Sequence, residues 1–198
     1  MNSFIEPQEV LRILIDLQCT WGVAGGWALD LFLDRVIRKH QDIEVAILRQ
    51  DQLILQDYLS SRGWSLEYVL NSKLISWPRA ERLVLPIHEI WCRIGTGAAL
   101  GRIEVLLNEC EGNDFVFRRD FRIRASIERA FIRSSSGIPV LAPEIVLLYK
   151  SKRAMDSKEQ QDFSSMLNAL DVERRKWLVE GIAAGDPRHP WLADLRDR

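Results

Sequence analysis

The stretch WGVAGGWALDLFLDRVIRKHQDIEVAIL, residues 21–48, decides the fold that we expect for this chain. Residues 21–26 are a short apolar run ending in two glycines, a pattern typical of a strand that enters a tight turn. Residues 27–33 read as a helix, and residues 42–48 carry β-branched side chains at alternate positions, as a strand does. The stretch therefore predicts a strand, a diglycine turn, a helix and a second strand.

The rest of the chain extends this pattern into a mixed α/β or α+β protein. Apolar spacing predicts a first helix over residues 5–17. Further strands are predicted over 65–70, 87–94 and 102–107, and further helices over 52–60, 143–152, 158–170 and 172–183. The strands fall before residue 120 and the last helices after it, so we expect one domain over residues 1–120 and a mainly helical C-terminal lobe over residues 121–198.

Composition and charge exclude several classes of protein. Hydrophobic residues make up 47% and charged residues 28% of the 198, which excludes global disorder. The net charge of -1 excludes a general nucleic-acid binder. The three cysteines lack the spacing of a zinc site or a disulfide scaffold. Acidic residues interrupt the first twenty positions and no apolar run is long enough for a bilayer, so we expect a cytoplasmic protein without a membrane partner.

Two acidic side chains and the two glycines are the first candidates for a functional site. On a strand over 42–48, Asp42 and Glu44 share one face, where they are either solvated or share a cation. Gly25 and Gly26 precede a helix N-terminus, which favours a phosphate, although a plain tight turn needs the same residues. Glu104, on the strand over 102–107, completes an oxygen cluster suited to Mg²⁺ if the two strands are neighbours; otherwise it is an outward-facing glutamate.

The segment GGWALDLFLDRVIRKHQDIEVAI, residues 25–47, resembles the signature of the nucleotidyltransferase superfamily that includes DNA polymerase beta. The tryptophan after the glycines and the RKH ahead of the acids are most similar to the aminoglycoside and lincosamide nucleotidyltransferase branch. Residues 137–152 (GIPVLAPEIVLLYKSK), 157–163 (SKEQQDF) and 189–195 (HPWLADL) resemble the helical portion of the same branch. The resemblance implies a small mixed nucleotidyltransferase sheet flanked by helices, with a catalytic domain over 1–120 followed by the helical lobe.

The resemblance also implies roles for the acidic residues. Asp42 and Glu44 would bind magnesium, and Glu104 would be the third acid, ligating a metal and taking the acceptor proton. Glu89 and Glu109 are alternatives to Glu104, because the spacing of the third acid varies in the superfamily. Two positions depart from the family pattern: residue 44 is Glu where many drug-modifying members have Asp, and residue 159 is Glu where relatives often have Asp.

The nucleotide-binding residues follow in the same way. Gly25 and Gly26 would hold the triphosphate. Arg38 and His40, with Lys39 between them, precede the acids and either contact phosphate oxygens or form a solvated loop. Lys150 is implied by the family's lysine at that place, and an exposed helix lysine is the alternative.

The resemblance implies a magnesium-dependent enzyme that moves AMP from ATP to a hydroxyl of a small molecule, most often an aminoglycoside-type antibiotic. A protein or RNA acceptor, as in toxin and antitoxin systems, is one alternative, and a non-catalytic nucleotide-binding protein is another. The sequence does not select the acceptor. Three tryptophans offer flat surfaces to a sugar but also suit the core, and four glutamates suit a cationic acceptor; they are Trp64, Trp77, Trp91, Glu67, Glu81, Glu89 and Glu111. The arginines at 118, 119, 122 and 124 alternate with apolar residues, which favours the solvated face of a strand over an anion site.

Overall fold

A mixed β-sheet forms the centre of the protein in the computed structural model, which describes residues 4–95 and 100–197. The strands are β1 (Trp21–Val23), β2 (Glu44–Leu48), β3 (Ser65–Leu70), β4 (Lys73–Ser76), β5 (Glu89–Arg93), β6 (Arg102–Glu111), β7 (Asp114–Val116), β8 (Arg124–Ser126), β9 (Phe131–Arg133) and β10 (Pro139–Leu141). The helices are α1 (Ile5–Leu14), α2 (Gly25–Phe32), α3 (Gln52–Ser60), α4 (Ile127–Ala130), α5 (Pro143–Lys150), α6 (Ser157–Met166), α7 (Val172–Gly185) and α8 (Trp191–Arg196). The mixed sheet with flanking helices confirms the predicted fold class.

The strands lie in the order β4-β3-β5-β6-β2-β1-β10-β9, and β7 pairs with both β6 and β8. Strands β2 and β6 run parallel, as do β1 and β10, and the other pairs are antiparallel. The neighbouring positions of β2 and β6 bring together parts of the chain that carry Glu44 and Glu104. Among the described residues, no helix is both long and apolar enough to cross a bilayer.

The strand predicted over 42–48 begins at Glu44, so Asp42 lies in the segment before it. The reason is that β1 pairs with β2 only as far as Val23, opposite Val45, after which the chain turns into α2. The backbone N–H of Ala24 still donates to the carbonyl of Glu44 at 2.8 Å. The turn thereby holds the start of α2 against the start of β2.

The region after residue 120 begins with strands rather than helices. Strands β8, β9 and β10 lie between residues 124 and 141, and the continuous helical part starts at Pro143. These strands have three residues each and leave little periodic signal in the sequence. Strand β8 pairs with β7, β10 pairs with β1, and β9 pairs with β10. The helices pack back onto the sheet through one connected apolar core, so the domain boundary at residue 120 stays a prediction.

The arginine-rich segment over residues 118–124 is a turn, and its interpretation as a strand face was wrong for all but Arg124. The backbone N–H of Phe117 donates to the carbonyl of Ile123 at 2.9 Å, which closes the loop. Within it, the Asp120 carboxylate accepts hydrogen bonds from both the backbone and the guanidinium of Arg122. These local bonds stabilise the turn against an extended conformation.

Candidate active site

A cleft of about 770 Å³ opens between the sheet and the helices that follow residue 142. Strands β2, β5 and β6 provide one wall, and the start of α2 lies at one end. The other wall comes from α5, the turn after it and the beginning of α6, including Tyr149, Lys150, Arg153 and Glu159. The C-terminal helices therefore form part of the cleft.

The cleft brings together the three carboxylates that the sequence singles out. Glu44 and Glu104 are register partners on the parallel strands β2 and β6, so their side chains leave the same face of the sheet about 4.8 Å apart. Asp42 lines the cleft from the segment before β2, where it is exposed. Of the alternatives to Glu104, Glu89 lies on β5 within the cleft, whereas Glu109 lies outside its lining and accepts a hydrogen bond from Arg49 at 2.8 Å.

Burial and repulsion between neighbouring carboxylates raise the pKa values of Glu44 and Glu104. Burial raises the pKa of Glu44, and the charge of Asp42 adds to this effect while Lys150 opposes it. Burial, together with the charges of Asp42 and Glu44, raises the pKa of Glu104 to about 7. Burial and like charges destabilise the ionised forms of these carboxylates, and a bound cation would stabilise them.

Replacing Glu104 with Gln should therefore stabilise the metal-free protein at alkaline pH. The raised folded-state pKa favours folding when Glu104 is protonated, and this advantage is lost as the pH rises through about 7. With chelator present, we expect Glu104→Gln to increase the free energy of unfolding by about 2 kcal/mol at pH 8, and by progressively less towards pH 5. Urea titrations at pH 8 and pH 5 measure this difference in the free energy of unfolding. The exposed Glu81→Gln is the control, and equal stability of wild type and Glu104→Gln at pH 8 would contradict the prediction.

The donor set fits a hard divalent cation in its chemistry. Mg²⁺ prefers carboxylate oxygens combined with substrate phosphates over a complete protein cage. Within residues 4–95 and 100–197, no three acidic, histidine or cysteine side chains stand close enough to form such a cage by themselves. The carboxylate oxygens of Asp42, Glu44 and Glu104 could bind such a cation only together with further ligands, such as phosphate oxygens.

Gly25 and Gly26 are the first two residues of α2 rather than a turn that precedes it, and neighbouring groups fill the space that their missing side chains leave. Gly25 has a φ of +59°, and a Cβ there would overlap the Glu44 carboxylate. A Cβ at Gly26 would overlap the ring of His40 and come within 2.5 Å of the Arg38 guanidinium. No side chain caps the N-terminus of α2, so its first backbone amides keep the capacity to bind an anion.

His40 and Arg38 are held by hydrogen bonds of their own. An arginine only donates, so the contact of 3.2 Å between Arg38 and Nδ1 of His40 makes that nitrogen an acceptor. The hydrogen is then on Nε2, which donates to the buried Asp30 at 2.7 Å. The His40 ring also packs on Trp27 at 4.3 Å between centroids. His40 thus lines the cleft with both nitrogens engaged, which fits a positioning role better than direct phosphate binding.

A buried ion network connects the predicted cations to α6. Arg38 donates to both carboxylate oxygens of Asp162, at 2.7 and 2.9 Å. Lys150 lies 2.9 Å from Asp162 and 2.6 Å from Glu159, and Arg153 donates to Glu159 at 3.0 Å. The two acids are 1% and 0% exposed, respectively, so the network fixes one wall of the cleft.

Sequence reasoning missed Asp162, and it assigned Arg118 and Arg119 to the solvated face of a strand rather than to an anion site. Glu159, Asp162, Phe163 and Met166 are the buried residues of α6, and their spacing of three to four marks one helical face. Carboxylates on an apolar face were the available signal for buried ion pairs. Arg118 and Arg119 line the cleft beside Tyr149, with guanidinium carbons 5.5 and 5.2 Å from its ring centroid. Burial lowers the pKa of both.

The candidate acceptor residues separate into core and surface. Trp64 and Trp77 are 7% and 6% exposed and belong to the core, whereas Trp91 lies partly exposed on β5 beside the cleft. Glu67 and Glu89 lie near Trp91, on β3 and β5. The two other glutamates are elsewhere: Glu81 is an exposed residue of the segment between β4 and β5, and Glu111 pairs with Arg124.

The cleft therefore combines two strand carboxylates in register with a diglycine at the start of a helix. The chain matches the family model described as aminoglycoside-2''-adenylyltransferase over residues 8–166, and it belongs to that family. Its family identifies it as an enzyme of the antibiotic-modifying nucleotidyltransferase branch, as the sequence resemblance predicted. No curated protein matches the sequence significantly.

Solved structures with the same fold have little sequence in common with this chain. The crystal structure of ANT(2'')-Ia in complex with adenylyl-2''-tobramycin has a TM-score of 0.61 at 12% identity, over 90% of this chain and 95% of that one. The solution structure of the antibiotic-resistance factor ANT(2'')-Ia has a TM-score of 0.59 at 14% identity, over 94% and 92%. The lincomycin-bound lincosamide antibiotic adenylyltransferase LnuA has a TM-score of 0.55 at 15% identity, over 82% and 95%.

Proposed function

We propose that this protein transfers AMP from ATP to a hydroxyl group of a small-molecule antibiotic, with an aminoglycoside as the acceptor class. The observation that carries the proposal is the division of charge in the cleft. Carboxylates gather on the sheet wall, while several cleft cations have no carboxylate partner within the described part of the chain. These cations are Lys39, Arg118, Arg119, Lys152 and Lys158. A nucleoside triphosphate with its divalent cation requires both kinds of group.

Asp42, Glu44 and Glu104 would hold Mg²⁺ together with the triphosphate. When bound, the cation would neutralise charge on the phosphate oxygens and help to align the attacking hydroxyl with the leaving pyrophosphate. The uncapped amides at the start of α2 favour phosphate oxygens at that end of the cleft, beside Gly25 and Gly26. Lys150 raises the positive potential near Glu44, since its charge acts on that carboxylate.

The reaction joins an acceptor hydroxyl oxygen to the α-phosphorus of ATP. The bond from that phosphorus to the oxygen bridging the β-phosphate breaks, and pyrophosphate leaves with the electron pair. The hydroxyl proton goes to Glu104, which lies on the sheet side of the cleft with no strong ion pair: the nearest guanidinium, that of Arg102, is 3.7 Å away. Positioning and charge neutralisation supply most of the rate in such transfers.

Structures of the same fold support the acceptor class. The ANT(2'')-Ia crystal structure contains an adenylylated aminoglycoside, and LnuA was solved with a lincosamide. Membership of the aminoglycoside-2''-adenylyltransferase family favours the aminoglycoside for this chain.

Pyrophosphate release from ATP and magnesium, measured across a panel of acceptors, tests the proposal. We expect release that depends on an aminoglycoside such as tobramycin, with an adenylylated product found by mass spectrometry. Release that needs a protein or RNA acceptor instead would support the toxin-type alternative. Nucleotide binding without release for any acceptor would contradict the proposal and favour a non-catalytic protein.

A further inference from the structure

Trp91 occupies a defined place in the row of side chains that crosses the sheet at the level of the catalytic acids. On β5, Trp91 is the register partner of Glu104 on β6 and of Glu67 on β3. Glu104 in turn is paired with Glu44 on β2. Register partners share a face of the sheet, so the order along this face is Glu44, Glu104, Trp91, Glu67, with about 4.8 Å between neighbours. The indole is therefore one strand beyond Glu104.

The indole is oriented by a carboxylate that lines the cleft. Its N–H donates to Oε1 of Glu89 at 2.6 Å, which fixes the plane of the ring. Glu89 has no cationic partner within 4 Å in the parts of the chain that are described, so its charge is available to a ligand. The edge of the cleft next to Glu104 thus presents an aromatic ring and an unpaired carboxylate.

Two guanidinium groups already bind this ring. Those of Arg93 and Arg102 lie 5.0 and 4.7 Å from the indole centroid, within the range of cation–π attraction. Arg93 also donates to Glu67 at 2.8 Å. The two arginine side chains are 40% and 38% exposed, so both can be displaced into solvent. The indole of Trp91 therefore attracts cations, and a cationic ligand can replace the two arginines that now contact it.

We propose that Trp91, Glu89 and Glu67 form the subsite that binds a protonated amino group of the acceptor. This inference rests on the proposed function and specifies an amino sugar as its acceptor. A ligand ammonium replaces a guanidinium on the indole and pairs with Glu89 or Glu67, while a hydroxyl of the same molecule reaches Glu104 one strand away. A neutral sugar would displace the arginines without restoring their charge interactions, so the subsite discriminates against it.

Replacing Trp91 with Leu tests the subsite, with Trp177→Leu as the matched control, because Trp177 is a partly exposed tryptophan outside the cleft. We expect Trp91→Leu to raise the KM for tobramycin and its Kd in calorimetric titration by about tenfold, with the KM for ATP unchanged. Trp177→Leu should change none of these constants. Raffinose, a neutral trisaccharide, should not bind measurably to wild type.

A second variant, Arg93→Gln, should change the affinity for tobramycin in the opposite direction. Arg93→Gln removes a competing guanidinium and frees Glu67, so it should tighten tobramycin binding by about threefold. This variant also decides the question if Trp91→Leu fails to fold.

Calorimetry separates the two proposals. If tobramycin binds in a Trp91-dependent way but pyrophosphate is not released, the proposed function fails and the subsite stands. A Kd for Trp91→Leu within twofold of wild type, no tobramycin binding by wild type, or equal binding of raffinose would overturn the subsite.

Discussion

Replacing Asp42 with Asn should reduce acceptor-dependent pyrophosphate release by at least about a thousandfold. Asp42 acts electrostatically on both other acids, since its charge raises the pKa of Glu44 and of Glu104. The amide keeps the shape of the side chain but removes one of the negative charges that offset a divalent cation. Because Asp42 is exposed, the substitution should leave folding intact.

Steady-state pyrophosphate release with tobramycin measures the effect, and thermal unfolding confirms the fold of the variant. The control is Asp57→Asn on α3, an exposed carboxylate outside the cleft. It should retain wild-type turnover. If Asp42→Asn kept a tenth or more of the wild-type rate, Asp42 would have no place among the catalytic acids.

The largest effect on stability should come from Asp162. Replacing it with Asn leaves Arg38 without its bidentate partner and removes one of the two acids that neutralise Lys150. Breaking a buried pair in this way typically costs about 3–5 kcal/mol, because a charge is left buried without compensation. We expect the free energy of unfolding at pH 7 to fall by about 3 kcal/mol for Asp162→Asn.

The pH dependence provides an independent check on Asp162. Burial alone would raise its pKa, but hydrogen bonds from Arg38 and the charge of Lys150 outweigh this and lower the pKa. The stabilisation is therefore present above the unfolded-state value and is lost as the pH falls through the lowered one. Urea titrations from pH 7 to pH 3 should show the wild type and Asp162→Asn converging at acid pH. Asp57→Asn should stay close to wild type throughout, and a similar loss for both variants would contradict the prediction.

The wall of the cleft that the sheet forms was predictable from the sequence, and the opposite wall, which the helices form, was only partly predictable. Glu44 and Glu104 lie on strands with clear apolar alternation, and strands of that kind are recognised one at a time. Their pairing depends on two strands 60 positions apart becoming parallel neighbours, which local patterns do not encode. The resemblance to nucleotidyltransferases supplied that step.

The cation sites depend on tertiary contacts that leave weaker signals. Lys150 was expected from the resemblance, but its bonds to Glu159 and Asp162 require α5 and α6 to pack side by side. Arg118 and Arg119 were misinterpreted because the alternation of residues 121–124 was extended back to them, whereas the hydrogen bonds around Asp120 make a turn. Strong local hydrogen bonds in a short segment can override the strand propensity of its sequence.

Gly25 and Gly26, at the start of α2, limit the substitutions that this enzyme can accept. Neither residue contributes a side-chain atom to the cleft, yet the volume that each leaves free is filled by Glu44 or by Arg38 and His40. Any larger residue at 25 displaces the Glu44 carboxylate, and any at 26 displaces Arg38 and His40. The partly exposed side chains around Trp91 are under no such constraint, so substitutions there can alter the edge of the cleft without moving Glu44, Arg38 or His40.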